Sequence, residues 1–140
     1  MSQLLLCPGN PGKVNELRAL LPSGMELLSL TDAGLPLDLP ETGDSFAANA
    51  LEKARFAYER TGLACIADDS GLEVTALGGA PGVWSARYAG PAKNDQDNIA
   101  KLLLELNGRE DRSARFRTVV ALIDADGEQL FEGEVRGSIT

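Results

Sequence analysis

Residues 4–17 read LLLCPGNPGKVNEL. Leu4–Cys7 is a short apolar run of the kind that forms a buried strand. Pro8, Gly9, Asn10, Pro11 and Gly12 break it. Val14, Leu17 and Leu21 then recur at helical spacing, and Pro22 ends the helix. Asn10 falls at the N-cap and Pro11 at the first helical position, where a missing N–H is harmless. A strand that passes through a tight turn straight into a helix is the start of a β-α unit, and it predicts an α/β fold. The turn has two readings. A helix N-terminus presents unpaired N–H groups and partial positive charge, to which Lys13 adds a full charge, so it suits a bound anion such as phosphate. The same residues also make an ordinary structural turn, and Asn10 serves equally as cap or as phosphate donor.

Outward from this unit the pattern repeats. Met25–Leu30 predicts a second strand, and 31–43 a loop broken by Gly34, Pro36, Pro40 and Gly43. A long helix is expected from about Asp44, as cap, to Arg60, with Ala47, Ala50, Leu51, Ala54 and Ala57 as its buried stripe and Gly62 as its stop. Leu63–Ala67 reads as a buried strand, followed by the acidic turn DDSG and a short strand at Leu72–Ala76. Residues 77–92 form a loop rich in Gly, Pro and Ala. Asn94 caps a third helix carrying Ile99, Leu102, Leu103 and Leu106, which Asn107-Gly108 closes. Residues 114–124 and Gln129–Arg136 read as strands joined at Asp126-Gly127. The expected architecture is an α/β/α sandwich on an elongated mixed β-sheet, with residues 1–140 as a single domain. The chain stops at RGSIT in the midst of what reads as continuing structure, so a longer natural protein is expected.

Composition narrows the chemistry. The 140 residues carry a net charge of −8, which argues against a nucleic-acid partner. An anionic small molecule would need local cations or a metal ion to offset the acidic field. The sequence has no histidine, which removes Ser-His-Asp and Cys-His nucleophile schemes and histidine-bound metals. A metal here would be held by carboxylate oxygens, which points to a hard ion such as Mg²⁺. No apolar stretch approaches the roughly 20 residues that span a bilayer, so no membrane partner is expected. No signal peptide is recognised, so the cytoplasm is the default location. Cys7 and Cys65 sit in apolar runs and read as buried free thiols.

Several residues carry possible chemistry. In IADDSGL (66–72), Asp68 and Asp69 follow an apolar strand, where open α/β sheets place ligands. Alternation along an extended chain would turn only one of the pair to the cleft, and an acidic hairpin turn is the plain alternative. Glu41, in PETGDSF, is a loop acid just before the long helix. Asn49 and Lys53 share one helix face at i, i+4, as a solvated face or as a polar strip in a cleft. GAPGVWSARYAG (79–90) suits a lid, a subunit contact or a packed surface loop.

Taken in order, GNPGKVNEL, ETGDSFAANALEKA, ADDSGLEV, GAPGVWSARYAG and FRTVVALI resemble the inosine triphosphate pyrophosphatase family over nearly the whole chain. The resemblance implies Mg²⁺-dependent hydrolysis of non-standard purine nucleoside triphosphates (ITP, dITP, XTP) to the monophosphate and pyrophosphate, and usually a homodimer. It implies that Pro8, Gly9, Asn10, Pro11, Gly12 and Lys13 form the triphosphate turn, that Lys53 and Ser70 meet the substrate, and that Glu41 and Asp69 coordinate the metal. Asp69 would also be the general base. Departures are Pro8, where the family has Ser or Thr, and Ala48, where it often has Glu. The family's final third, with its base-pocket stretches Gly-Phe-Gly-Tyr-Asp-Pro and Ser-His-Arg, has no counterpart before residue 140. A nucleotide-binding remnant without catalysis and a pyrophosphatase for modified pyrimidine triphosphates are the alternative readings.

Overall fold

The structure, a computed structural model, describes residues 3–8, 11–37, 39–90, 92 and 94–140, with the backbone alone at Pro11 and Ala86. Five strands form one sheet in the order β2-β1-β3-β4-β5. They are β1 (Gln3–Leu6), β2 (Glu26–Ser29), β3 (Cys65–Val74), β4 (Ser113–Asp124) and β5 (Gly127–Ser138). The helices are α1 (Pro11–Leu20), α2 (Phe46–Thr61) and α3 (Asp95–Glu105), with 3-10 turns at Thr75–Leu77 and Gly82–Arg87.

β1 pairs in parallel with β2, Leu5 opposite Leu28, and with β3, Leu5 opposite Cys65. Parallel neighbours need crossovers, which α1 and α2 supply. β4 and β5 are joined by the tight turn Ala125-Asp126 and so form the hairpin that makes the sheet mixed. The α/β architecture and mixed sheet therefore stand as expected. α1 begins at Pro11, as its preset φ favours, whereas the expected cap Asn10 lies outside the described residues.

Three element-level expectations need correction. Ser45, not Asp44, caps α2: its backbone is extended and its hydroxyl accepts the Ala48 N–H at 3.1 Å. Gly62 ends the helix in the left-handed conformation, φ 68°, and donates to the Tyr58 carbonyl. Second, the expected break at DDSG does not exist; 65–74 is one strand. Third, α3 buries Leu102, with Leu106 at its C-cap also buried, while Ile99 and Leu103 are exposed.

The chain divides into two compact units, and β3, β4 and β5 give residues to both. The first comprises 1–69 and 119–131. Its core holds Leu4, Leu5 and Leu6 of β1, Leu30, Val119, Ala121 and Ile123, with Phe46, Ala50, Ala54 and Ala57 of α2. Of the expected stripe, Ala50, Ala54 and Ala57 have no exposed surface, while Ala47 and Leu51 are half-buried; the small alanine side chains let a helix lie close on a sheet. Cys7 and Cys65 are buried and free. The second unit comprises 70–118 and 132–140. Leu102 and Leu106 pack with Val74, bordered by Leu72, Leu77, Tyr88 and Ile139. Glu73 accepts hydrogen bonds from Arg115 (2.6 Å) and Arg117 (3.2 Å). Arg115 and Arg117 reach on to Glu134 and Glu132. Among the described residues, no helix is long and apolar enough to cross a membrane.

Candidate active site

The acids come from β3. Its residues alternate between buried and half-buried, so Asp68 and Asp69 point to opposite sides of the strand. Asp69 is only 8% exposed. Its carboxylate accepts a hydrogen bond from Asn49 Nδ2 at 3.1 Å. Burial pushes its pKa above the ordinary carboxylate value; Asn49 and the Lys53 charge pull the other way, and the nearby Glu41 and Asp68 carboxylates add to the rise. Asp68 is not idle either. Its carboxylate receives Lys13 Nζ at 2.9 Å, and its backbone carbonyl accepts from Lys53 Nζ. Both acids are engaged, one through each side of the strand.

The cations come from the two helices. Lys13 lies in the first turn of α1 and is half-exposed. Lys53 lies on α2, and its ammonium is largely buried, paired with Glu41 at 2.8 Å. Asn49, one turn earlier, is 2% exposed. The polar strip of α2 therefore faces inward and is not a solvated face. It also explains where Glu41 sits, for α2 holds three successive loop residues. Lys53 takes Glu41. Glu52 takes Thr42 through both carboxylate oxygens, from the backbone N–H at 2.6 Å and the hydroxyl at 2.8 Å. Asn49 Oδ1 accepts the Gly43 N–H at 2.7 Å. Gly43 packs so tightly that an added Cβ would stand 2.7 Å from Ala48 Cβ. Sequence reading did not single out Glu52, or Asn49 as a buried hub. The i, i+3, i+4 spacing of 49, 52 and 53 was the available signal.

The structure thus brings Lys13, Glu41, Lys53, Asp68 and Asp69 into one hydrogen-bonded and electrostatically coupled group. Gly9 and Asn10 lie outside the described residues, and so does the Pro11 side chain. Pro8 and Gly12 flank this turn, and Pro8 borders a shallow cavity of about 270 Å³ with Asn15, Arg18 and Thr31. Ser70 follows Asp69 along β3 and belongs to the second unit. The oxygen-rich donor set suits a hard cation. Among the described residues, no three His, Cys, Asp or Glu side chains are grouped to hold a metal on their own.

Comparison with known proteins gives a consistent picture. Residues 4–140 match the model of the Ham1 family. The chain is 49% identical over 137 residues to the dITP/XTP pyrophosphatase of Christiangramia forsetii, covering 98% of this chain and 72% of that protein. It is 44% identical over 143 residues to that of Bacillus subtilis, again spanning 72% of the relative. Among solved structures, the Staphylococcus aureus Ham1 protein superposes with a TM-score of 0.92 at 38% identity, over 99% of this chain and 72% of the other. A nucleoside-triphosphatase / dITP/XTP pyrophosphatase from Mycobacterium abscessus gives 0.85 at 48% identity, over 98% and 74%.

Proposed function

The chain belongs to the Ham1 family, and we propose that it is a nucleoside triphosphate pyrophosphatase acting on non-standard purine nucleotides such as dITP, ITP and XTP, releasing pyrophosphate and the monophosphate. The observation that carries this reading is the pairing of two lysines with carboxyl groups around the buried Asp69. A polyphosphate entering a protein of charge −8 needs fixed cations at its landing point. Lys13 and Lys53 supply them, with the N–H groups that open α1. Ser70, next along β3, is assigned to substrate contact, and Pro8, Gly9, Asn10, Pro11 and Gly12 to the phosphate turn.

Asp69 is the assigned general base. Its burial raises its proton affinity above that of an ordinary carboxylate, in the direction that suits a group that must take a proton from water. Asn49 holds one of its oxygens and leaves the other for that proton. Lys53 steadies Glu41 beside it. A divalent cation fits these residues, since burial and the Glu41 and Asp68 carboxylates disfavour charge on Asp69 and a cation there would favour it. Glu41 and Asp69 would hold it, with phosphate oxygens and water completing the shell, an arrangement typical of Mg²⁺. When bound, the ion neutralises growing charge on phosphoryl oxygens and acidifies a bound water. Residues 1–140 are read as one catalytic domain, cytoplasmic and acting as a homodimer.

The test is a substrate panel. With Mg²⁺, pyrophosphate release from dITP should exceed that from dATP and dGTP by at least about tenfold, the ratio set by roughly 1.4 kcal/mol, and EDTA should abolish it. Equal rates on all three, or turnover that survives EDTA, would refute the reading.

A further inference from the structure

We propose that Asn49 is a positioning residue that ties the Glu41 loop to Asp69, so that the two carboxylates assigned to the metal are set by one amide. This rests on the functional reading above and adds a residue to it. Asn49 is 2% exposed in the middle of an alanine stripe. A buried polar side chain needs its partners, and here they lie on two different segments. Oδ1 accepts from Gly43 N–H at 2.7 Å, and Nδ2 donates to Asp69 Oδ2 at 3.1 Å. The amide is suited to the task because it accepts on one side and donates on the other. A carboxylate could receive Gly43 but would repel Asp69, and an apolar residue could do neither.

The rest of α2 makes the link rigid. Glu52 holds Thr42 and Lys53 holds Glu41, so loop residues 41–43 are registered against 53, 52 and 49. Gly43 has no room for a side chain against Ala48 and Asn49. Asn49 is the member of this set that also touches Asp69. Residues behind metal ligands commonly change affinity or activity by about 10–100-fold when removed.

The experiment compares the wild-type chain with Asn49→Ala, which removes both bonds, and Asn49→Asp, which keeps the Gly43 bond and loses the donor to Asp69. Thr61→Val, at the far end of α2 where the hydroxyl bonds the Ala57 carbonyl, serves as a control of matched stability loss. Three quantities are read: kcat and KM for dITP, Mn²⁺ affinity without nucleotide by electron paramagnetic resonance, and the melting temperature. Both Asn49 variants should lose at least about tenfold in kcat and in Mn²⁺ affinity, with KM within about twofold. Thr61→Val should melt lower with kcat and Mn²⁺ affinity unchanged. If Asn49→Ala fails to fold, Asn49→Asp, nearly isosteric, decides. Wild-type kcat and Mn²⁺ affinity in the folded Asn49 variants would overturn the inference, as would a Thr61→Val loss equal to theirs. A wild-type chain that binds Mn²⁺ with an affinity lost in the Asn49 variants, but hydrolyses no dITP, would overturn the functional reading and leave this inference standing. A wild-type chain that does neither would overturn both.

Discussion

Gly43→Ala tests the packing of the loop on α2. A methyl group there would stand 2.7 Å from Ala48 Cβ and 2.9 Å from Asn49 Oδ1. Ala48 Cβ is fixed to the helix backbone and cannot swing aside, so the loop or the helix must move. Overpacking of this kind costs about 1–3 kcal/mol. Displacing the loop also loosens the 2.7 Å bond from Gly43 N–H to Asn49, worth about 1 kcal/mol. The total is about 2–4 kcal/mol, a large share of the roughly 5–15 kcal/mol that holds a domain folded. For a chain of 140 residues the entropy of unfolding is about 0.3 kcal/mol/K, so the melting temperature should fall by about 7–14 °C. Circular dichroism melts measure it. Gly133→Ala is the comparison, because nothing lies within 4 Å of a Cβ at that position, and it should stay within about 2 °C of wild type. If Gly43→Ala also melts within about 2 °C of wild type, the loop is not packed on α2 as described.

Asp69→Asn should abolish turnover yet stabilise the metal-free protein at pH 7.5. Its folded pKa is raised, chiefly by burial, so its ionisation opposes folding; this opposition is absent below the unfolded pKa and grows as pH rises to the folded value. A lower urea midpoint at pH 7.5 for the variant would contradict this. Lys53→Met should cut kcat for dITP by about 100-fold, the equivalent of about 2.7 kcal/mol of lost charged contacts; a kcat within threefold of wild type would remove Lys53 from the site. Val135→Lys, on the exposed edge strand β5 where Val135 is 72% exposed, should lower concentration-dependent light scattering. Unchanged scattering would show that this edge does not drive association.

The fold was legible wherever local chemistry and tertiary context agree. Pro11 at the start of α1, Gly62 after α2 and Asn94 before α3 each have a local reason to sit where they do. DDSG was not legible as strand, because Asp and Gly are poor strand formers on intrinsic preference. The segment continues β3 past Cys65 and Ile66, where β1 pairs with it, on a strand that also neighbours β4, and the tertiary setting overrides that preference. Asp44 and Ser45 are equally good caps on paper, and only the extended backbone at Ser45 decides between them. The site was legible residue by residue but not as a linked set. A sequence shows Asn49, Glu52 and Lys53 on one helix face, but not that a loop ending at Gly43 folds back onto it. Asn49 was the hardest to read, since a polar residue among alanines looks like a solvent-facing position until both of its partners are seen.

The lysine pairs have a consequence for traffic through the site. Lys13 holds Asp68, and Lys53 holds Glu41. These acids act as internal counterions, so a small free anion arriving alone must compete with a tethered carboxylate for each ammonium. A triphosphate presents several charges at once and can engage both ammonium groups in a single visit. Such two-point contact favours long polyanions over orthophosphate or sulfate.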